Sequence, residues 1–324
     1  MGYPYLHYGD CMIKPNIYNW HVVRLTDHFS CGATVGQPLT ILFIDTGVDK
    51  SHSEIQGNLV EAECKSFVPY EPCISDYVGH GTQMVSSVTG KYILKGICPF
   101  ARVVVYKITD KKGISKLEWL YRALEEGIAK GYPIINVSYR TEYEVDLFEF
   151  NRFQALVDCA NAQGIWVVCS AGNDGRDITQ EYRVPANLKG VYPIGSTNKN
   201  GDISGFSNTL NDQFFAPSGD EYEINYNNDW VMVAKSSFDT EDYLYEVLGF
   251  DKAYTVGIGT SIASALFSGV VASLSGELIA QGMNAGRTEM ECLLRQGARL
   301  IDVQRNYYEV SLAGSIRALR QMRG

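Results

Sequence analysis

Several features that would place a chain in a class are scarce here. No run of eighteen apolar residues occurs, which argues against a transmembrane helix and a membrane partner. Basic residues are in the minority, with 28 Lys and Arg against 37 Asp and Glu and a net charge of −9. A nucleic-acid partner would call for a basic face, so none is expected. Eight cysteines are present, but no C-x-x-C pair and no regular spacing. That excludes an obvious zinc site, leaves no metal ligands to name, and favours buried free thiols in a reducing compartment over a disulfide framework. The N-terminus "MGYPYLHYGD" has no basic segment followed by an apolar one, so it does not read as a secretory signal. Leu6 stands where a myristoylation motif needs Ser or Thr.

The chain does have enough material for a sizeable core: 324 residues, 45 % of them apolar. One α/β domain fits that length, and two are open. Short apolar runs at 39–45, 101–108, 132–138, 165–173 and 191–196 alternate with helix-like stretches at 116–131 and 150–164, each ending in Gly. Near-continuous apolar strands between amphipathic helices predict a parallel sheet covered on both faces, an α/β fold in three layers. Such sheets gather functional residues beyond the carboxyl ends of their strands.

Polar residues follow the strands in the expected places. "GIGTSIASALFSG" (257–269) sets Ser261 at the start of a small-residue helix. A serine there can cap the helix, or it can act beside free backbone N–H groups that stabilise an oxyanion. "FIDTGVD" ends a strand at Asp45, which can cap a turn or orient a base. "GHGT" places His80, one of only five histidines, between two glycines, as suits a ring approached by other groups. Asn173 in "SAGNDG" is either a turn residue or an oxyanion donor. Serine hydrolysis needs all four kinds of group.

Together, "DTGVD", "GHGT", "SAGN" and "GTS", in this order over about residues 38–282, resemble the subtilisin-like serine proteases, the subtilase family. The resemblance implies a three-layer subtilisin-like fold with a mostly parallel central sheet flanked by helices. It implies that Asp45 orients, His80 is the general base, Ser261 attacks a peptide carbonyl, and Asn173 with the Ser261 N–H binds the oxyanion. The substrate would lie along Ser138, Tyr139 and Arg140 and along Ser170, Ala171 and Gly172.

The chain also departs from the family pattern. The helix after Ser261 lacks the usual proline and histidine. The substrate strand reads Ser138-Tyr139-Arg140, where Ser-Leu-Gly is usual, and an acidic loop follows it. This favours a narrowed, selective cleft. "TGKYILKGICPFA" (89–101) is shorter than the Asn-rich calcium loop of secreted members, so that site is expected to be lost. Other calcium positions stay open, because "NDGRD" is rich in oxygen ligands; no cofactor is required by the chemistry. Residues 1–37 are too few before Asp45 for a full propeptide and are expected to form an N-terminal arm, with the catalytic domain at 38–324. Residues 220–252 hold nine acids against two lysines. This stretch reads as an acidic surface insertion, or as a cleft wall that attracts basic peptide.

The expectation is therefore a cytoplasmic, selective serine endopeptidase that acts on a peptide or protein substrate in processing, for example leader-peptide removal. The alternatives are a general intracellular protease, a pseudoprotease that binds without cutting, and an esterase or transpeptidase on the same residues. The sequence sets no oligomeric state.

Overall fold

The computed structural model describes residues 6–8 and 11–13 (backbone only), 19–27, 39–138, 144–221, 229–283 and 286–322. Its first elements are a short hairpin, β1 (Leu6–Tyr8) and β2 (Cys11–Ile13), and the helix α1 (Trp20–Thr26). Then come β3 (Thr40–Asp45), β4 (Lys65–Ser66), α2 (His80–Thr89), β5 (Arg102–Lys107), α3 (Leu117–Ala129), β6 (Ile134–Val137), α4 (Leu147–Ala162) and β7 (Trp166–Ser170). The second half holds β8 (Tyr192–Thr197), β9 (Gln213–Pro217), β10 (Val231–Ala234), α5 (Leu244–Leu248), β11 (Tyr254–Gly257) and α6 (Thr260–Ala280). It closes with α7 (Arg287–Gly297), β12 (Arg299–Asp302), β13 (Tyr307–Glu309) and α8 (Leu312–Gln321).

Among the described residues, nine strands form one sheet in the order β12-β13-β9-β8-β7-β6-β3-β5-β4. Every pairing in it is parallel except β12 with β13. The period-2 alternation of strand side chains sorts β3 between two layers. Ile41 and Phe43 face the core formed with α2 and α6, while Leu42 and Ile44 face the core formed with α3 and α4. This is the expected three-layer α/β fold.

The helices follow from their apolar spacing. In α3, Trp119, Leu120, Ala123, Leu124, Gly127 and Ile128 fall on one stripe, and all are buried. Truncating Leu124 to Ala would cost about 2–5 kcal/mol in lost transfer energy and cavity. Helix α4 starts three residues before its expected position because Asp146 caps it, its carboxylate accepting from Glu149 N at 2.8 Å. Helix α6 has 21 residues and mean hydropathy 1.6, enough to cross a membrane by length and composition, yet 89 % of that window is buried in the protein. It is the central core helix. It runs well beyond the small-residue stretch that starts it, and Gly269 within it lets it approach Ile97, whose Cγ2 an added Cβ would meet at 2.2 Å.

Two expectations need correction. Of the six described cysteines, all unpaired, Cys98 and Cys169 are buried, Cys64 is half-buried, and Cys73, Cys159 and Cys292 are exposed. The acidic stretch at 220–252 is more than a surface excursion. It contains the buried strand β10, paired antiparallel with β11, and Asp220, Asp229 and Asp239 are themselves buried.

Candidate active site

Asp45 is the last residue of β3, a central strand of the sheet, and its side chain is only 2 % exposed. The chain must turn sharply after it. Gly47 makes that turn at φ +121, and an added Cβ would strike the Ile74 carbonyl oxygen at 2.5 Å. Helix α2 begins opposite, with His80 as its first residue. Gly81 lets this helix end close on the turn, since a Cβ there would lie 2.1 Å from the Gly47 carbonyl oxygen. The two glycines bring Asp45 and His80 into contact, and His80 Nδ1 lies 2.7 Å from Asp45 Oδ1. The same oxygen accepts the Thr46 N–H at 2.7 Å.

This contact sets the electrostatics of the ring. Burial opposes the charged form of His80, but the charge of Asp45 and its hydrogen bond outweigh it, and Asp76 adds to them. The net result is a His80 pKa above the ordinary 6.5. With Nδ1–H donated to Asp45, Nε2 is the nitrogen left to act as a base.

Ser261 sits in the first turn of α6, where the leading N–H groups of a helix have no intrahelical partner. Thr260, just before it, donates from its backbone N (3.0 Å) and its hydroxyl (2.8 Å) to Asn173 Oδ1. Its hydroxyl also accepts the Gly172 N–H at 3.1 Å. Asn173 follows β7, so Thr260 ties the end of a strand to the start of the core helix.

These groups share one cleft of about 610 Å³, lined by Asp45, His80, Ser138, Ser170, Gly172, Asn173 and Ser261. Thr46, Val78, Ile108, Thr109, Gly113, Ile114 and Ser115 complete its lining. No hydrogen bond joins Ser261 to His80; such contacts are often long in unliganded sites and tighten with substrate.

Of the expected substrate residues, Ser138, Ser170 and Gly172 line the cleft. Ala171 does not. It is 1 % exposed, its N–H is bonded to the Ile194 carbonyl at 3.1 Å and its carbonyl to Asn208 Nδ2 at 3.2 Å, so it braces the wall from behind. Tyr139 and Arg140 lie outside the described residues. Sequence reasoning missed Thr46 and Thr260, each adjacent to a singled-out residue, and the 113–115 wall, whose Gly within "KKGIS" was its only signal.

A family profile described as the subtilase family matches residues 36–296. The chain belongs to the subtilase family. This subtilase is 28 % identical over 183 residues to the major intracellular serine protease of Bacillus subtilis (strain 168), covering 53 % of this chain and 55 % of that protein. It is 24 % identical over 245 residues to the nisin leader peptide-processing serine protease NisP of Lactococcus lactis subsp. lactis, covering 62 % of this chain and 36 % of the relative. The chain thus spans about half or less of the length of these curated relatives. Among solved structures, its fold is similar to that of a lanthipeptide protease, with TM-score 0.83 at 22 % identity, covering 94 % of this chain and 95 % of the other. The nisin leader peptidase NisP from Lactococcus lactis gives TM-score 0.76 at 19 % identity, covering 93 % of each chain.

Proposed function

We propose that this subtilase is a selective serine endopeptidase that hydrolyses peptide bonds through an acyl-enzyme on Ser261. The observation that carries this reading is the 2.7 Å contact of His80 Nδ1 with Asp45 Oδ1, in a cleft shared with Ser261 and Asn173. In this mechanism His80 Nε2 takes the Ser261 proton as Oγ attacks the carbonyl carbon, and Asp45 holds the ring in the productive tautomer and stabilises its charged form. The carbonyl oxygen becomes an oxyanion held by the Ser261 N–H and Asn173 Nδ2. His80 then protonates the leaving amine. Water, deprotonated by the same ring, hydrolyses the acyl-enzyme and restores Ser261.

The likeness to a leader peptide-processing protease supports a processing role, removal of a leader from a peptide. Likeness to two proteins named as intracellular serine proteases supports a cytoplasmic location. No cofactor takes part in this mechanism. Peptide-library profiling tests the selectivity: this enzyme cuts casein poorly and one short sequence well, whereas even cleavage of both would make it a general protease. Adding an amine nucleophile and finding a ligated product would make it a transpeptidase.

A further inference from the structure

Asp76 touches neither the Ser261 nucleophile nor the cleft, yet its carboxylate is bonded to both halves of the Asp45–His80 pair's framework. It is fully buried. Its Oδ1 accepts from the Thr46 hydroxyl at 2.8 Å and from the Gly79 N–H at 2.9 Å. Its Oδ2 accepts from the Thr82 N–H at 2.8 Å and from the Thr82 hydroxyl at 2.7 Å. Thr46 follows Asp45, and its hydroxyl accepts the Gly81 N–H at 2.8 Å. Gly79, Gly81 and Thr82 surround His80 in the chain.

Helix α2 starts at a glycine N-cap, which has no side chain to offer its free N–H groups. Asp76 supplies that cap from four residues before His80, and the Thr46 hydroxyl supplies a second acceptor. The buried Lys107 ammonium secures the other side of the arrangement, donating to the Thr46 carbonyl at 2.8 Å and the Ser75 carbonyl at 3.0 Å. The turn after Asp45 and the first turn of the His80 helix therefore share one carboxylate, and neither can move without breaking its bonds.

We propose that Asp76 is a positioning residue for hydrolysis, fixing the His80 ring against Asp45 through Thr46 and the first turn of α2. This rests on the reading of His80 as the base of the reaction. A carboxylate that served only the fold would stabilise the protein without setting the behaviour of the ring. Asp76 acts on His80 electrostatically, helping to raise the ring's pKa, as well as through the backbone it holds on either side of the ring, so its removal has an electrostatic signature.

The test compares wild type with Asp76→Asn, Thr46→Val and Thr46→Ser, each checked for a cooperative thermal transition. The rate of labelling by an alkyl fluorophosphonate is measured from mildly acid to mildly alkaline pH. Folded Asp76→Asn is expected to label about 10- to 100-fold more slowly, the scale of a misplaced catalytic group, with its acid limb displaced to lower pH. Thr46→Val is expected to slow labelling about 10-fold with the acid limb in place, and Thr46→Ser to restore the rate. Unchanged rate and acid limb in folded Asp76→Asn, or a Thr46→Val rate equal to wild type, overturn the proposal. If Asp76→Asn does not fold, the Thr46 pair decides alone. NMR titration of the His80 ring gives a readout independent of turnover. A ring that titrates lower in Asp76→Asn than in a non-labelling wild type retains the coupling while the hydrolytic reading fails, and identical titration in both removes the coupling.

Discussion

Thr260 and Asn173 are joined by two hydrogen bonds to a single oxygen: Thr260 N and Oγ1 lie 3.0 and 2.8 Å from Asn173 Oδ1. A backbone N–H can only donate, so the contact fixes which end of the Asn173 amide faces Thr260. Nδ2 is left to donate elsewhere, and among the described residues it has no hydrogen-bond acceptor. The residue beside the nucleophile thus orients the proposed oxyanion donor before any substrate arrives.

Replacing Asn173 by Ala is expected to lower turnover by about 10²–10³ with little change in KM, because the donor acts on charge that develops in the transition state. Thr260→Val removes one of the two bonds and keeps the shape, so a smaller loss is expected. Steady-state kinetics on the best peptide from library profiling provides the check. Equal losses in the two variants would mean that Thr260 acts on Ser261 rather than on Asn173.

The His80–Asp45 pair predicts opposite pH trends for rate and stability. The base must be neutral, and its pKa is raised, so the rate falls as pH drops through a value above 6.5. Stability runs the other way. A raised folded-state pKa means that the native protein binds the proton more tightly, so this contribution is complete below 6.5 and fades as pH rises through the raised value. Asp45→Asn should lose the upward shift and cut the rate by about 10⁴. The pH profile of labelling and denaturant midpoints on either side of that range measure both; an acid limb below 6.5 in wild type contradicts the prediction.

Glu54 explains how the short loop after α2 is held. Its buried carboxylate accepts four successive backbone N–H groups, those of Lys91, Tyr92, Ile93 and Leu94, at 2.7 to 3.1 Å, together with the Tyr254 hydroxyl at 3.1 Å. N–H groups converge on an anion here, the reverse of the polarity a cation requires. Glu54→Ala is expected to cost about 3 kcal/mol or more by stranding buried donors, read as a shift in the denaturant midpoint. A calcium chelator is expected to leave the wild-type midpoint unmoved. A chelator-induced loss as large as that of Glu54→Ala would refute this account of the loop.

Within the acidic segment, the turn at 236–239 packs on the residues just before His80. Phe238 packs on Tyr77 with ring centroids 5.4 Å apart, and Asp239 Oδ2 lies 2.7 Å from where a Gly79 Cβ would stand, next to His80. Further along the segment, Glu241 and Glu246 are exposed and Asp242 is half-buried. Converting these three to amides is expected to raise KM for basic peptides several-fold, more at low salt, and to leave neutral peptides unaffected. Equal effects on both kinds of peptide would make the segment a solvated surface only.

Much of the layered sheet was legible because β3, β5, β6 and β7 are near-continuous apolar runs, and the helices between them keep helical spacing. Asp45, His80, Asn173 and Ser261 were legible because each lies in a short, glycine-marked turn. Strand β13 was not legible: it pairs in parallel with β9, more than ninety residues earlier, through three residues of tertiary context. The full reach of helix α6 was not legible, because its small-residue start runs on into an apolar stretch with no face to mark it, and the close approach of Gly269 to Ile97 is a matter of tertiary packing. Asp76, Glu54 and Lys107 escaped for a different reason. Their partners are largely backbone N–H and C=O groups, which every residue carries, so no pattern of side chains announces them.

The measurement that tests the central claim most directly is covalent labelling of the purified chain with a fluorophosphonate, beside Ser261→Ala and His80→Ala. The account predicts one label per chain, located on Ser261 by mass spectrometry, absent from Ser261→Ala and strongly slowed in His80→Ala. A folded chain that takes no label, or a label that persists in Ser261→Ala, would contradict it.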